Sequence, residues 1–221
     1  MKPAPFRYLA AHSVPEALAA LHAGGVEAKL LAGGQSLMPM ANFRLLRPSL
    51  LIDINPIAEL GTITRTPAGL WIGALARHVA VETSPLVAAL FPVLAHAMTH
   101  VAHPTIRNRG TFGGSLSHAD PAAELPMLAL ALDATLTIAS MDATRTTTAR
   151  AFLVGPLATS LAPDEMVIGA DLPLLPAGTG WGFEEVARRH GDFALAAVAV
   201  TLRAEAGLVA DAHIALTGVG D

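Results

Sequence analysis

Ala32-Gly33-Gly34-Gln35-Ser36-Leu37 and Thr105-Ile106-Arg107-Asn108-Arg109-Gly110-Thr111-Phe112-Gly113-Gly114-Ser115, the latter running on into His118-Ala119-Asp120-Pro121-Ala122-Ala123-Glu124-Leu125-Pro126, decide how this chain folds. Each holds a Gly-Gly pair beside apolar sequence fit for a rigid strand or helix, and each is flanked by a hydroxyl residue. That pattern presents bare backbone N–H groups to an anion. A lone Gly-Gly turn is most often a tight connection; two of the same kind can grip one pyrophosphate.

Outward from the first turn, Phe6 to Leu9 reads as a short strand. Ser13 followed by Glu16 is a capping box that opens a helix, and Gly24-Gly25 closes it. Lys29 to Ala32 is a buried strand, Ser36 caps a short helix, and Leu50 to Ile54 is a further strand before Asn55-Pro56. Towards the second turn, Leu60 to Thr64 and Leu70 to Gly73 read as paired strands. Val79 to Glu82 and one long core helix over Leu86 to Val101 follow. Beyond it come a helix over Ala122 to Ala131 and strands at 134–138, 145–148 and 166–172. Pro173, Pro176, Gly178 and Gly180 form a linker to strands at Phe183 to Ala187, Ala196 to Leu202 and Ala212 to Leu216. The expected division is residues 1–55, 56–176 and 177–221.

The 221 residues are 52% hydrophobic with a formal net charge of −4, which supports a large core and argues against a nucleic-acid partner. Lys2 and Lys29 are the only lysines, so a phosphate here falls to arginine, backbone amides or helix ends. There is no cysteine, which excludes disulfides, a zinc ribbon and an iron–sulfur cluster ligated by this polypeptide. The stretches around Leu86 to Met98 and Leu125 to Leu132 are too short or interrupted to span a bilayer, and the N-terminus has no signal-like apolar run. The expectation is a cytoplasmic protein with no transmembrane segment.

The better-known nucleotide loops do not fit. No Gly-Lys-Ser/Thr is present, no Gly-x-Gly-x-x-Gly opens a helix after a strand, and no nucleophile elbow with acid and histidine partners can be assembled. His96, His100 and His103 fall at i, i+4 and i+7 of the expected helix, on one face, but no carboxylate accompanies them; solvent-facing or helix-end positions are favoured over a metal site. Arg107 and Arg109 either neutralise a pyrophosphate or brace the loop through backbone carbonyls, and bracing is favoured. Asp120 and Glu124 read equally as cap and first-turn acids or as acceptors for ribose hydroxyls.

The two motifs together resemble the FAD-binding medium subunit of the molybdenum hydroxylases, which include aerobic carbon monoxide dehydrogenase and the xanthine dehydrogenase family. Asn42-Phe43-Arg44-Leu45-Leu46-Arg47-Pro48, Leu51-Ile52-Asp53-Ile54 and Arg188-Arg189-His190-Gly191-Asp192-Phe193-Ala194 support the resemblance, which spans essentially the whole chain. It implies an α+β, two-subdomain FAD-binding fold of the vanillyl-alcohol oxidase / molybdopterin dehydrogenase type, with a truncated C-terminal subdomain. The implied cofactor is FAD, held through Ala32, Gly33, Gly34, Gln35 and Ser36 and through Thr111, Phe112, Gly113, Gly114 and Ser115. Glu124 would reach the adenosine side, Ile168 would lie near the ring system and Phe193 would cover the isoalloxazine; for the last two, plain core packing is the competing reading.

No catalytic and no metal-ligating residue is assigned. The resemblance implies a flavoprotein oxidoreductase subunit that relays electrons. They would come from [2Fe-2S] clusters on a small partner subunit, after leaving a molybdopterin cofactor on a large molybdenum-binding subunit, and pass through FAD to a quinone, NAD or oxygen. Two alternatives stand beside this: a stand-alone flavin oxidoreductase of the same fold, and a non-catalytic truncated assembly subunit.

Overall fold

The computed structural model describes residues 2–219. The chain opens with β1 (Arg7–Ala10), α1 (Val14–Gly24), β2 (Ala28–Leu31), α2 (Leu37–Asn42) and β3 (Leu50–Asp53). These strands make a parallel sheet of order β1-β3-β2, so helical crossovers carry the chain back between them. The Ser13 hydroxyl accepts the Glu16 amide at 3.3 Å, and the Glu16 carboxylate accepts the His12 amide at 2.7 Å, so both residues of the expected box cap α1. Such a cap stabilises a helix by about 1 kcal/mol. Ser36 stands at the N-cap of α2 but makes no capping bond, contrary to expectation; its hydroxyl is left for the cleft described below.

The second sheet is antiparallel, β4 (Ile63–Arg65), β5 (Gly69–Gly73), β6 (Thr135–Ala139), β7 (Thr144–Thr148) and β10 (Met166–Pro173), in the order β4-β5-β10-β6-β7. Residues 58–61 form a 3₁₀ turn, so the strand expected from Leu60 starts only at Ile63. A small hairpin, β8 (Leu153–Gly155) with β9 (Ala158–Thr159), follows the short α9 (Ala149–Phe152). Between β5 and β6 lie α3 (His78–Thr83), α4 (Pro85–Leu90), α5 (Pro92–Met98), α6 (Pro104–Arg107), α7 (Phe112–His118) and α8 (Glu124–Ala131).

The long helix expected over Leu86 to Val101 is in fact α4 and α5. Pro92 has no N–H to continue the ladder, and Phe91 before it takes φ −137°, ψ 65°. α5 ends at Met98, so His96, His100 and His103 do not share one helix, and Pro104 begins α6. α8 starts at Glu124, two residues later than expected, because the Asp120 carboxylate accepts the Ala122 amide at 2.9 Å and holds 120–123 as a turn.

The third sheet, β11 (Gly180–Val186), β12 (Ala196–Glu205) and β13 (Leu208–Thr217), is an antiparallel meander. Ala197, Ala199 and Ala215 from its inner face complete a core built by Leu70, Phe91, Leu94, Met98, Leu116, Leu125 and Phe152. A smaller core joins Leu18, Ile52, Ile54 and Ile57 to Leu75, Ala139 and Met166, so the first and second sheets share apolar packing. No helix among the described residues is long and apolar enough to cross a membrane.

Candidate functional site

Strand β2 ends at Leu31 and delivers residues 32–37 to the rim of a cleft of about 850 Å³. That size lies towards the upper end of cofactor pockets, roughly 300–1,000 Å³. Gly34 sits at φ +71°, a conformation glycine adopts without strain. Gln35 folds its amide back onto the Gly33 carbonyl at 3.0 Å, which tightens the turn. The backbone N–H groups of Gly33, Gly34, Gln35, Ser36 and Leu37 make no hydrogen bond among the described residues, so five successive donors remain free beside the cleft.

The second turn is placed by a single antiparallel bridge, Arg77 with Thr111. The His78 amide donates to the Gly110 carbonyl at 3.0 Å, and the Phe112 amide donates to the Ala76 carbonyl at 2.9 Å. The Gly113 amide donates to the Ala74 carbonyl at 2.9 Å. The second Gly-Gly pair is therefore not a run of bare amides: those of Phe112 and Gly113 are spent on the chain after β5, while those of Thr111 and Gly114 are free. Close packing explains Gly113, since a Cβ there would lie 2.7 Å from the Ala74 Cα.

The two turns touch. A Cβ on Gly33 would overlap the Arg109 carbonyl and lie 2.9 Å from the Gly110 Cα. A polar network fixes the junction. Tyr8 donates to Asp53 at 2.5 Å, Asp53 accepts the Asn55 amide at 2.9 Å, and the Asn55 side chain donates to the Ala32 carbonyl at 2.9 Å. Arg77 donates to the Asn55 side-chain oxygen at 2.6 Å and also to the Arg109 carbonyl. The sequence marks Asn55 only as part of the Asn55-Pro56 break and gives Arg77 no role; their partners lie in distant segments, and no local pattern marks either as part of the junction.

Of the residues singled out from sequence, Ala32, Gly33, Gly34, Gln35, Ser36, Thr111, Gly113, Gly114, Ser115, Glu124 and Phe193 line the cleft. Phe112 points into the main core. Ile168 is the residue at which β10 slips register against β6; its carbonyl accepts the Ala74 amide at 3.0 Å and its side chain packs on the smaller core, leaving Met166 and Val167 as the cleft wall. Phe193 is 69% exposed at the mouth. The loop carrying it is pinned at Gly191 (φ +85°), where a Cβ would lie 2.6 Å from the His103 ring.

Arg107 braces its loop, as expected, through the Val101 and Ala102 carbonyls at 2.9 and 3.0 Å and through Glu82 at 2.7 Å. Glu124 is 6% exposed, and burial, reinforced by the nearby Glu185 and Asp120 carboxylates, lifts its carboxyl to about 7. Among the described residues, no three or more His, Asp or Glu side chains are placed to hold a metal ion.

The model of the FAD binding domain in molybdopterin dehydrogenase matches residues 4–175. The chain is 47% identical over 222 residues to the 6-hydroxypseudooxynicotine dehydrogenase complex subunit alpha of Paenarthrobacter nicotinovorans, covering 100% of this chain and 75% of that protein. It is 42% identical to the caffeine dehydrogenase subunit beta of Pseudomonas sp. (strain CBB1), with the same coverage. Among solved structures, a chain of the carbon monoxide dehydrogenase from Hydrogenophaga pseudoflava superposes with a TM-score of 0.97 at 42% identity, over 99% of this chain and 76% of that one. An α+β architecture with a two-turn cleft, a family model covering most of the chain and relatives this similar give one answer: the chain belongs to the FAD-binding family of molybdopterin dehydrogenase, the FAD-binding medium subunits of the carbon monoxide and xanthine dehydrogenase family of molybdenum hydroxylases.

Proposed function

We propose that this chain is the FAD-binding, electron-transferring subunit of a molybdenum hydroxylase complex. It would take electrons from [2Fe-2S] clusters on a small partner subunit, downstream of a molybdenum-binding large subunit, and pass them to an external acceptor such as a quinone, NAD or oxygen. The observation that carries the reading is that the run of five unspent amides at 33–37 and the free Thr111 and Gly114 amides belong to residues lining one cleft. Seven N–H groups without a protein partner are what a pyrophosphate needs and what a structural turn avoids. The buried, unpartnered Thr111 hydroxyl fits the same ligand, and the close packing of Gly33 on Arg109 and of Gly113 on Ala74 holds the two turns in place around it.

FAD, when bound, supplies the redox chemistry. The residues of this chain bind and orient it: the 32–36 and 111–115 turns at the pyrophosphate, Glu124 as an acceptor or, when protonated, a donor on the adenosine side, and Phe193, next to the pinned Gly191, against the ring system. Ile168 would act near the ring through the bulge that sets Met166 and Val167. With no cysteine in the chain, iron–sulfur clusters belong to a partner. Relatives named as complex subunits support such an assembly. On this reading the functional segments are 1–55, 56–176 and 177–221, each holding one of the three main sheets.

Titrating the purified chain with FAD, followed by flavin fluorescence, tests the reading. Stoichiometric binding that is lost in Gly113→Val, with far-ultraviolet circular dichroism preserved, is the expected result. Equal flavin content in Gly113→Val and the unmodified protein would overturn it. Co-purification with iron–sulfur and molybdenum polypeptides tests the assembly.

A further inference from the structure

The second turn has fewer donors than its sequence promises, since the Phe112 and Gly113 amides are committed to Ala76 and Ala74. Of the arginines around it, Arg77 is committed to Asn55 and the Arg109 carbonyl, Arg107 to Glu82 and two backbone carbonyls, and Arg109 is not among the residues that line the cleft. Directly behind the turn lies His78, the first residue of α3. It is 7% exposed, lines the cleft, and neither imidazole nitrogen has a hydrogen-bond partner among the described residues. A Cβ on Gly110 would lie 2.7 Å from its Nδ1, so the ring rests on the bare α-carbon of the residue before Thr111. The hydroxyl of Thr111, another cleft-lining residue, is likewise buried and unpartnered.

Orphaned buried polar atoms cost roughly 1–3 kcal/mol each, and native structures keep them where a ligand or ordered water completes them. The three here belong to two residues that both line the cleft. Burial, with the Arg107 and Arg77 charges adding, pushes the imidazole down to about 4, against the pull of the nearby Thr111 carbonyl, which lies outside hydrogen-bond geometry. The ring is thus neutral at physiological pH and carries one N–H to donate.

We propose that His78 is a cofactor-binding residue, donating with the Thr111 hydroxyl to the diphosphate bridge of FAD in place of the turn amides that are spent elsewhere. The inference rests on the FAD reading above. It assigns a ligand contact to a residue outside both glycine motifs, and it accounts for glycine at position 110, where any side chain would displace the ring.

The test is ¹⁵N spectroscopy of histidine-labelled protein titrated with FAD, ADP and riboflavin, with binding followed independently by flavin fluorescence. FAD and ADP should each shift one imidazole signal that is absent in His78→Phe, and riboflavin, which has no phosphate, should leave it in place. The dissociation constant for FAD should rise about tenfold or more in His78→Phe, with partial recovery in His78→Asn or His78→Gln. An unmoved His78 signal in protein that demonstrably binds FAD overturns the proposal and leaves the FAD reading intact. Failure to bind FAD at all overturns both. The signal of the unmodified protein decides the matter even where a variant fails to fold.

Discussion

The α-carbon of Gly33 lies against the main chain of Arg109, so closely that a methyl group there would overlap the Arg109 carbonyl oxygen. This contact is backbone on backbone, with no flexible side chain to yield, and it sets how far apart the two turns stand. Gly33→Ala is therefore expected to spread the turns and lower flavin affinity at least tenfold while secondary structure persists. Gly61→Ala, where a Cβ meets nothing within 4 Å, is the control and should bind normally. Flavin-to-protein absorbance ratios after gel filtration measure both, and equal ratios in the two variants would show that the spacing of the turns does not govern binding.

Asn55 and Arg77 tie the first sheet to the second turn through one side-chain hydrogen bond of 2.6 Å. A double-mutant cycle of Asn55→Ala and Arg77→Ala should give a coupling of about 1.5–3 kcal/mol in urea unfolding, the range for a hydrogen bond to a charged group. Arg77→Lys keeps the charge but loses the fork that reaches Asn55 and the Arg109 carbonyl together, so it should behave like Arg77→Ala. Additive single effects would mean that the network is incidental.

What was legible in the sequence is what local chemistry dictates. Ser13 and Glu16 cap a helix wherever they fall before an apolar run, and glycine pairs after a strand turn the chain. Pro92 was equally visible but was outweighed by the apolar periodicity around it, although a missing N–H overrides periodicity. The state of the Phe112 and Gly113 amides could not be read locally, because their acceptors are Ala76 and Ala74, more than thirty residues away and in no recognisable motif. Asn55, Arg77 and His78 were hidden for the same reason: their roles come from what a distant segment places beside them. The family motif located the cleft, and tertiary packing decided which of its donors are free.

Glu124 carries a stability cost that grows with pH. Its folded-state value of about 7 lies above the unfolded value near 4.5, so the folded state holds the extra proton and this stabilisation is complete below about pH 4.5. It is lost as pH rises through 7, amounting to about 3 kcal/mol by pH 8. Glu124→Gln should raise the melting temperature by roughly 6–12 °C at pH 8 and hardly at all at pH 4.5. The gain should come with weaker FAD binding if the carboxyl serves the adenosine side, as polar groups kept at a site against stability commonly do. A melting temperature raised equally at both pH values would show that the carboxyl's charge is not the cause.

The third sheet is docked onto α5 through aromatic and histidine contacts that acid should loosen. His96 lies 5.4 Å from His100, 5.7 Å from Trp181 and 5.9 Å from Phe183, while His100 lies 5.1 Å from Phe183 and 5.9 Å from His190, measured between ring centroids. Burial, with His96 and His190 adding, holds His100 below the usual histidine value, and Glu184 opposes them. The unfolded chain therefore binds more protons here than the folded one as pH falls through the ordinary histidine range, and stability falls with it. Between pH 7.5 and 5, amide protection in β11, corrected for the intrinsic exchange rate at each pH, should fall ahead of protection in β5 and β10. His100→Phe keeps the ring packing and removes the charge, so it should flatten the response. An acid response unchanged in His100→Phe would move its origin away from this cluster, and His78, buried behind the second turn and held near 4, would then be the group to replace next.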